Sequence, residues 1–466
     1  MQHSPGDGHI KVSPELLGLG GIKKLLSVWL FLLLFLSGCS QILQIIKTPT
    51  LSAATEALPT PSGVGELQET PALETPTSQV TTATATSGIE AAPDQSKLLK
   101  VWLPPQFDPN SGTPAGELLK GRLQAFAEEH PGIQIEVRIK ALEGPGGLLD
   151  SLVAASAAAP QALPDLVALS RPLLEKAALK GLVYSLDGLT TVLDQEDWYG
   201  YARELAYLQQ STFGLPFAGD ALIFVYQPSE DTQPPKTWNR LMEYPGTLAF
   251  SAGDPEALFT LAQYQAAGGN IQDGQGRPAL DAEILAKVLN IYINAVQTGR
   301  VSDRLSQFET QEQVWKAFQE GQFSMAVTWA SLYWNAKDTS AILIPTPDGN
   351  SYTLATGWSW ALASPQTEKR DLSAELADYL VESDFLAHWS EAGGFLPPRA
   401  AALELWQAEA SRSLATDLSV SAHLIPSGDV LSSLGPVLQQ AVLQVLRQEK
   451  TPVDAAQAAV ESLGNP

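Results

Sequence analysis

The residues that could carry chemistry in this chain are mainly tryptophans. Four of its eleven tryptophans fall within one short window: Trp329, Trp334, Trp358 and Trp360. Trp358 and Trp360 are two positions apart in an extended segment, which places their side chains on the same face. An indole ring offers a flat apolar surface and one N–H donor, which suits a sugar ring and its hydroxyls. The window predicts ligand contact, with core packing as the alternative for each tryptophan.

The motifs of common catalytic and metal sites are missing. The sequence has no Gly-x-Ser-x-Gly, no His-Glu-x-x-His and no phosphate-binding loop ending in Gly-Lys-Ser/Thr. It contains five histidines and a single cysteine, Cys39. The turn at 270–276 has too few carboxylates at alternate positions for a calcium loop. We therefore expect no reaction, no metal and no cofactor.

The stretch 213–226 organises the rest of the chain. Residues 221–226 are apolar, β-branched and aromatic, which is typical of a buried strand. The glycines and the proline before them predict a turn. Asp220 lies where the turn meets the strand, and its carboxylate is a candidate to accept hydrogen bonds from two ligand hydroxyls. A capping role in the turn is the alternative.

The pattern after residue 97 alternates between strands and helices. We expect strands at 98–103, 133–139 and 164–169, and helices at 116–129 and 148–159. This order predicts an α/β domain with a largely parallel sheet. Ligands of such sheets bind beyond the carboxyl ends of the strands. Phe107, Asp108 and Arg171 follow two of these ends and are further binding candidates, although Arg171 could instead pair with a surface acid.

The second half of the chain continues with helices and short strands. We expect helices at 256–267, 281–297, 310–320 and 373–390, with two more helical runs in 430–463. We expect strands at 323–329 and 340–344, and a strand pair or extended segment at 352–363. These lengths are those of ordinary globular elements.

The N-terminus predicts export and anchoring. Lys23 and Lys24 precede an apolar run at 25–36, which is shorter than the ~20 residues of a membrane span. Leu36-Ser37-Gly38-Cys39 resembles the bacterial lipobox, so residues 1–38 are predicted to be a lipoprotein signal peptide and Cys39 its lipidation site. A plain signal peptide or a short anchor helix is the alternative. Residues 39–96 are rich in Thr, Pro and Ala and predict a disordered tether.

The charge balance bears on partners. The formal net charge is −23. Nucleic-acid binding requires a positive surface, so we expect no nucleic-acid partner. The same balance mildly disfavours an anionic ligand, although the local potential of a site can differ from that of the whole molecule.

Several short motifs, none specific alone, resemble a known family in their order and spacing. They include Phe213-Gly214-Leu215-Pro216, Pro235-Lys236-Thr237-Trp238 and Gly394-Phe395-Leu396-Pro397-Pro398-Arg399, with others at 126–137, 164–167, 178–186, 268–281 and 318–325. The chain resembles family 1 of the extracellular solute-binding proteins of ABC importers. The resemblance implies an α/β, two-lobed periplasmic-binding-protein-like (type II) fold with hinge strands between the lobes. The lobes would be 97–222 plus 345–390 and 223–344 plus 391–466.

The resemblance also implies a function. The protein would be a monomer that captures a small solute between its lobes and delivers it to the ABC permease. The tryptophan window makes a mono- or oligosaccharide the expected cargo. The location would be extracytoplasmic, on a lipid anchor in the cell membrane. Two alternatives stay open: a secreted glycan-active enzyme, which needs two facing carboxylates, and a cell-surface adhesion lipoprotein.

Overall fold

The computed structural model describes residues 98–228 and 234–464. The expected signal peptide, Cys39 and the expected tether lie outside the described residues. Within the described ranges, no helix has the length and apolar character needed to cross a membrane.

The strands form one nine-stranded sheet and one small hairpin. They are β1 (Leu98–Leu103), β2 (Gln134–Ile139), β3 (Leu166–Ser170), β4 (Tyr207–Leu208), β5 (Ser211–Thr212), β6 (Leu215–Tyr226), β7 (Leu248–Ala249), β8 (Met325–Trp329), β9 (Ser340–Ile342), β10 (Thr353–Leu362) and β11 (Ala422–Leu424). The order is β2-β1-β3-β10-β6-β8-β7, with β11 on β10 and β9 on β6. β1 pairs in parallel with β2 and β3, which confirms the α/β prediction for the first domain.

Fifteen α-helices are described. They are α1 (Pro114–Glu129), α2 (Leu148–Ala158), α3 (Arg171–Leu179), α4 (Gly200–Ala206), α5 (Trp238–Glu243), α6 (Leu258–Ala266), α7 (Ala282–Gln297), α8 (Gln311–Gln319), α9 (Ala330–Tyr333), α10 (Thr367–Tyr379), α11 (Ser383–Gly393), α12 (Ala400–Glu404), α13 (Glu409–Ser421), α14 (Gly428–Leu446) and α15 (Pro452–Gly464). Short 3-10 turns occur at Pro105–Phe107, Pro160–Ala162, Val192–Asp194 and Asp303–Gln307.

β6 is longer than the sequence predicts, and the expected turn at its start is wrong. The strand begins at Leu215 and runs for 12 residues. Pro216 fits in the strand because it lies opposite Ser359, at a bulge where the register between β6 and β10 shifts. A residue at a bulge does not have to donate a backbone N–H to the neighbouring strand. Gly219 fits because its N–H donates to Leu396 O (2.7 Å) and its carbonyl accepts from Leu396 N (2.8 Å).

The two ends of β6 belong to different groups of strands. Its first half, up to Ala221, pairs with β10, which continues to β3, β1 and β2. From Leu222 onward it pairs with β8 and β9. Among the helices, α11 packs on α1 beside the first group, whereas α14 and α15 pack on α7. The chain therefore crosses between the groups within β6, at Ala221 and Leu222.

The single long helix expected at 373–390 is wrong, because the chain forms two helices, α10 and α11, with a break at 380–382. Two arginines from distant segments bind carbonyls at the break. The Arg122 guanidinium donates to Tyr379 O (2.6 Å), and Arg399 Nη1 donates to Val381 O (3.1 Å). Helix ends leave carbonyls unpaired, so these contacts stabilise the break.

We predict that Gly219→Ala destabilises the protein. A Cβ there would lie 2.2 Å from Tyr201 Oη and 3.0 Å from Leu396 O, and the Tyr201 ring is buried and cannot move aside. Overpacking of this kind costs about 1–3 kcal/mol. The measurement is the free energy of unfolding in urea.

Gly121→Ala in α1 is the matched control, since a Cβ added there would have no neighbour within 4 Å. It should stabilise the protein by about 0.5–1 kcal/mol, the usual gain of Ala over Gly in a helix. Equal effects of the two substitutions would contradict the packing of Tyr201 against β6.

Candidate functional site

A cavity of about 320 Å³ lies beyond the carboxyl end of β1. Its lining residues come from the loop after β1, the start of α1, the end of α11 and the segment after α9: Gln106, Phe107, Thr113, Pro114, Ala115, Gly116, Leu119, Asn335, Trp389, Ala392, Gly393 and Phe395. Asn335 belongs to the chain that follows β8, so both groups of strands contribute to the walls. The volume is near the lower end of the ~300–1,000 Å³ typical of ligand sites.

Three of the twelve residues that line this cavity are aromatic, and none carries a charged side chain. Trp389 and Phe395 are stacked, with ring centroids 5.7 Å apart and planes within 7°. Phe107 lies 5.4 Å from Phe395. Polar groups are supplied by Gln106, Thr113 and Asn335. Such walls suit an uncharged solute that has an apolar face and hydroxyl groups.

The loop that carries Phe107 is fixed by the start of α1. Thr113 Oγ1 caps the helix by accepting from Gly116 N (3.1 Å). A Cβ at Gly116 would lie 2.8 Å from Asp108 O, so the helix and the loop approach closely only because this residue is glycine. Asp108 Oδ1 accepts from Asn110 N (2.8 Å). The Asp108 carboxylate thus shapes its own loop.

Asp220 lies at the crossing point of β6 and contacts the segment after β8. Its Oδ1 accepts from Ser331 N (3.0 Å) and from Ala221 N (2.9 Å), and its Oδ2 is 2.5 Å from Ser331 Oγ. Burial raises the pKa of Asp220 to about 7, in spite of these hydrogen bonds, which lower it. Part of the residue's surface is still accessible.

The four tryptophans of the sequence window occupy different environments. Trp358 is partly exposed and meets Phe107 edge-on at 5.2 Å. Trp360 is buried and stacks on Phe217 at 4.4 Å. Trp329 is partly exposed at the end of β8, and Trp334 packs perpendicular to Trp406 at 5.5 Å.

Phe107 and Phe217 are themselves in contact, at 5.1 Å. Trp358 and Trp360 therefore face the same side of β10, as the spacing predicts. Trp360 is only 2% exposed and is not one of the residues that line the cavity.

Arg171 serves to hold α3 against α4. Its Nε donates to Glu175 Oε1 (2.7 Å), and its Nη1 donates to the carbonyl oxygens of Glu204, Leu205 and Tyr207 at 2.8–3.1 Å. These carbonyls lie at the end of α4, where a helix leaves them unpaired. The acid pairing that the sequence left open is what the structure contains.

The polar wall and the stacked aromatic wall of the cavity were missed at the sequence level. Asn335 had no distinguishing pattern around it. Trp389 reads as an ordinary buried position of a helix. Phe395 lies within Gly394-Phe395-Leu396-Pro397, one of the motifs that carry the family resemblance, and this was a usable signal. Only Phe107 was both a sequence candidate and a lining residue.

Two other cavities are less suitable as a solute site. One of about 430 Å³ lies near the amino ends of β1 and β3, beside Lys100, Asp165 and Lys369, whereas α/β sheets bind ligands at the carboxyl ends. The other, about 790 Å³, is an open groove beside Glu404 and Asp417. In the described parts of the chain, no group of three His, Cys, Asp or Glu residues could hold a metal ion.

The chain belongs to the bacterial extracellular solute-binding protein family. The model of that family matches residues 121–415, more than half of the sequence. The protein is therefore a solute-binding protein, and the family places it outside the cytoplasm. Comparison with curated protein sequences finds no match.

Solved structures of binding proteins share the fold. The cyclic α-maltosyl-1,6-maltose binding protein from Arthrobacter globiformis superposes with a TM-score of 0.65 at 18% identity, over 78% of this chain and 97% of that one. The sugar-binding protein MalE from Xanthomonas citri gives 0.63 at 18% identity, over 79% and 97%. An ABC transporter solute-binding protein from Thermotoga lettingae, bound with α-D-tagatose, gives 0.60 at 20%, over 79% and 98%. The two-lobed α/β fold is confirmed.

We predict that Asp220→Asn changes how stability depends on pH. Between about pH 4 and 7 the folded protein holds a proton on Asp220 that the unfolded chain has released, since the folded pKa is about 7 and the ordinary value is 3.8. Stability must then fall as the pH rises through this window, by at most about 1.4 kcal/mol per pH unit. The Asp220→Asn variant has no titrating group at this position, so its stability does not show this fall.

The measurement is the difference in unfolding free energy between the variant and the wild type from about pH 4.5 to 8.5, a range that spans the folded pKa. As the pH rises to about 7, the stability of the variant relative to the wild type should increase, and above about pH 7 the difference should stay constant. Asp417→Asn, which removes an exposed carboxylate, is the matched control. A difference that is constant over the whole range would show that Asp220 is ionised throughout.

Proposed function

We propose that this protein is the extracytoplasmic sugar-binding component of an ABC importer. The observation that carries the proposal is the uncharged cavity, which is lined by Asn335 and by the partly exposed Phe395 ring stacked on the buried Trp389. A sugar presents apolar ring faces and many hydroxyls, which match aromatic walls and amide groups. The sugar ligands named for the structural neighbours agree with this chemistry.

Solute capture would use a hinge in β6. The contacts support a first lobe built on β1, β2, β3 and β10 with α1 and α11, and a second built on β7, β8 and β9 with α7, α14 and α15. This proposal moves two of the expected lobe boundaries. The boundary at 344/345 moves beyond Thr346, because Thr346 forms a bridge with Thr237 of the second lobe. The boundary at 390/391 moves to the end of α11, because α11 packs on α1 of the first lobe. Closure would hold Asn335 and the aromatic residues around the same solute.

The partners follow from this role. The closed, loaded protein would be recognised by the transmembrane subunits of the permease, with the protein acting as a monomer. Lipidation of Cys39 would keep it at the outer face of the cell membrane, with residues 39–96 as the tether. Several acyl chains at one cysteine give stable anchoring, since a single chain binds only marginally.

The geometry favours binding over glycan hydrolysis. Glycosidases place two carboxyl groups about 5–10 Å apart around the scissile bond. None of the residues that line the cavity is an Asp or a Glu. The adhesion alternative predicts no closure around a small solute.

We predict that a sugar raises the melting temperature of the full chain, since a ligand that binds only the native state must stabilise it. The test uses glucose, maltose, maltotriose, tagatose, spermidine and glutamate, each at about 5 mM, well above the usual Kd range. At least one sugar should give a shift, and the two charged compounds should give none.

Asn335→Ala should reduce the sugar-induced shift by removing a polar group that only the second lobe supplies. Asn294→Ala, which changes another exposed asparagine, on α7, is the matched control and should retain the shift. A shift with spermidine or glutamate alone would overturn the sugar proposal. Release of reducing sugar from a glycan would overturn the binding-only role.

A further inference from the structure

The carboxylate of Asp220 and the main chain of Ser331 meet at the point where β6 changes partners. Asp220 faces Thr356 of β10, on the first-lobe side. Ser331 follows β8, whose last residue, Trp329, faces Leu222 on the second-lobe side. The hydrogen bonds from Ser331 N and Oγ to Asp220 therefore join the two sides of the hinge.

We propose that Asp220 and Ser331 form a proton-linked clamp across the hinge, which favours the closed form of the protein as the pH falls. The inference rests on the closing motion of the proposed function and adds a regulatory property to the same site.

The contact can persist in both protonation states of Asp220. When the carboxylate is ionised, Ser331 Oγ donates its hydrogen to Oδ2. When a proton from water is bound at Oδ2, that oxygen donates to Ser331 Oγ across the same 2.5 Å. The other oxygen, Oδ1, continues to accept from Ser331 N and Ala221 N. Protonation therefore removes a charge without breaking the clamp.

The burial of Asp220 determines whether acid favours the closed or the open form. In this structure, where Ser331 contacts Asp220, burial raises the pKa of Asp220 to about 7 and outweighs the hydrogen bonds. We take this contact to belong to the closed form: an opening motion that separates Ser331 from Asp220 would admit water and bring the pKa back toward its ordinary value. The closed form thus binds the proton more tightly than the open form. By linkage, the ratio of closed to open protein rises as the pH falls below about 7.

Two other titratable groups face Asp220. Tyr201 on α4 brings its hydroxyl against Gly219, and burial raises the pKa of Tyr201 so far that it stays neutral. Glu312 on α8 contributes negative charge, which raises the pKa of Asp220 further. Among the described residues, no cation lowers it. Asp220 is therefore the group that changes charge at the hinge near neutral pH.

The test measures closure directly and without solute. The full chain carries Cys39→Ser and two nitroxide labels, at Leu179→Cys in α3 and Val453→Cys in α15, positions that are 76% and 57% exposed. Pulsed electron resonance between the labels reports the fractions of open and closed protein from about pH 5 to 8.5. The closed-to-open ratio should rise by up to about tenfold per pH unit below pH 7.

Three variants decide the cause of any pH response. Asp220→Asn, which resembles the protonated carboxyl, should show no response and should match the acid form of the wild type. Glu312→Gln should shift the midpoint to lower pH. Ser432→Ala, which changes an exposed serine on α14, should leave the response unchanged.

A wild type without a pH response, or an Asp220→Asn variant that responds like the wild type, would overturn the clamp. Because no solute is present, this outcome is separate from failure of the sugar proposal. If only the sugar proposal is wrong, no sugar will shift the melting temperature, but the distance between the labels will still change with pH.

Discussion

The fold depends on one strand, β6, whose two halves pair with different strands. β6 is 12 residues long, and all of its residues except Asp220 are buried. A buried N–H or C=O without a partner is costly, so each half of β6 requires strands beside it. The first half takes β10, and the second takes β8 and β9. Two separate groups of helices can then pack on one sheet, and the point where the partners change is the hinge of the proposed closing motion.

The apolar half of this strand could be predicted from sequence because local composition determines it. The first half could not. Pro216 and Gly219 are typical of a turn, yet a bulge in β6 beside β10 accommodates the proline, and Leu396, which is distant in sequence, pairs with the glycine. The break between α10 and α11 has a similar origin. Arg122 and Arg399 bind its carbonyls, and neither is near residue 380 in the chain. Patterns within a window cannot contain such partners.

The candidate site shows the same limit. Of the predicted site residues, Phe107, which the rule for α/β sheets selected, lines the cavity, whereas none of the four tryptophans of the window does. The partners that complete the cavity are Trp389 and Phe395, which come from the far end of α11 and the turn after it. Arg171 was chosen for its place after a strand, but its donors are used by Glu175 and by the carbonyls at the end of α4. Position at a strand end does not by itself distinguish a residue that contacts a ligand from one that holds the scaffold.

If the proposed cavity is the solute site, selectivity has to come from its lining rather than from the overall charge of the protein. The formal charge of −23 repels anions at a distance, but salt screens that field beyond about 8 Å at physiological ionic strength. Inside the cavity, with no charged lining residue, discrimination depends on which hydroxyls find partners. A site that hydrogen-bonds a hydroxyl rejects an analogue that lacks it far more strongly than an apolar pocket rejects a small change in size. In the proposed division into lobes, Gln106 and Asn335 belong to different lobes and line one cavity, so a solute would bind both amides only with the lobes closed around it. Recognition and closure would therefore be the same event.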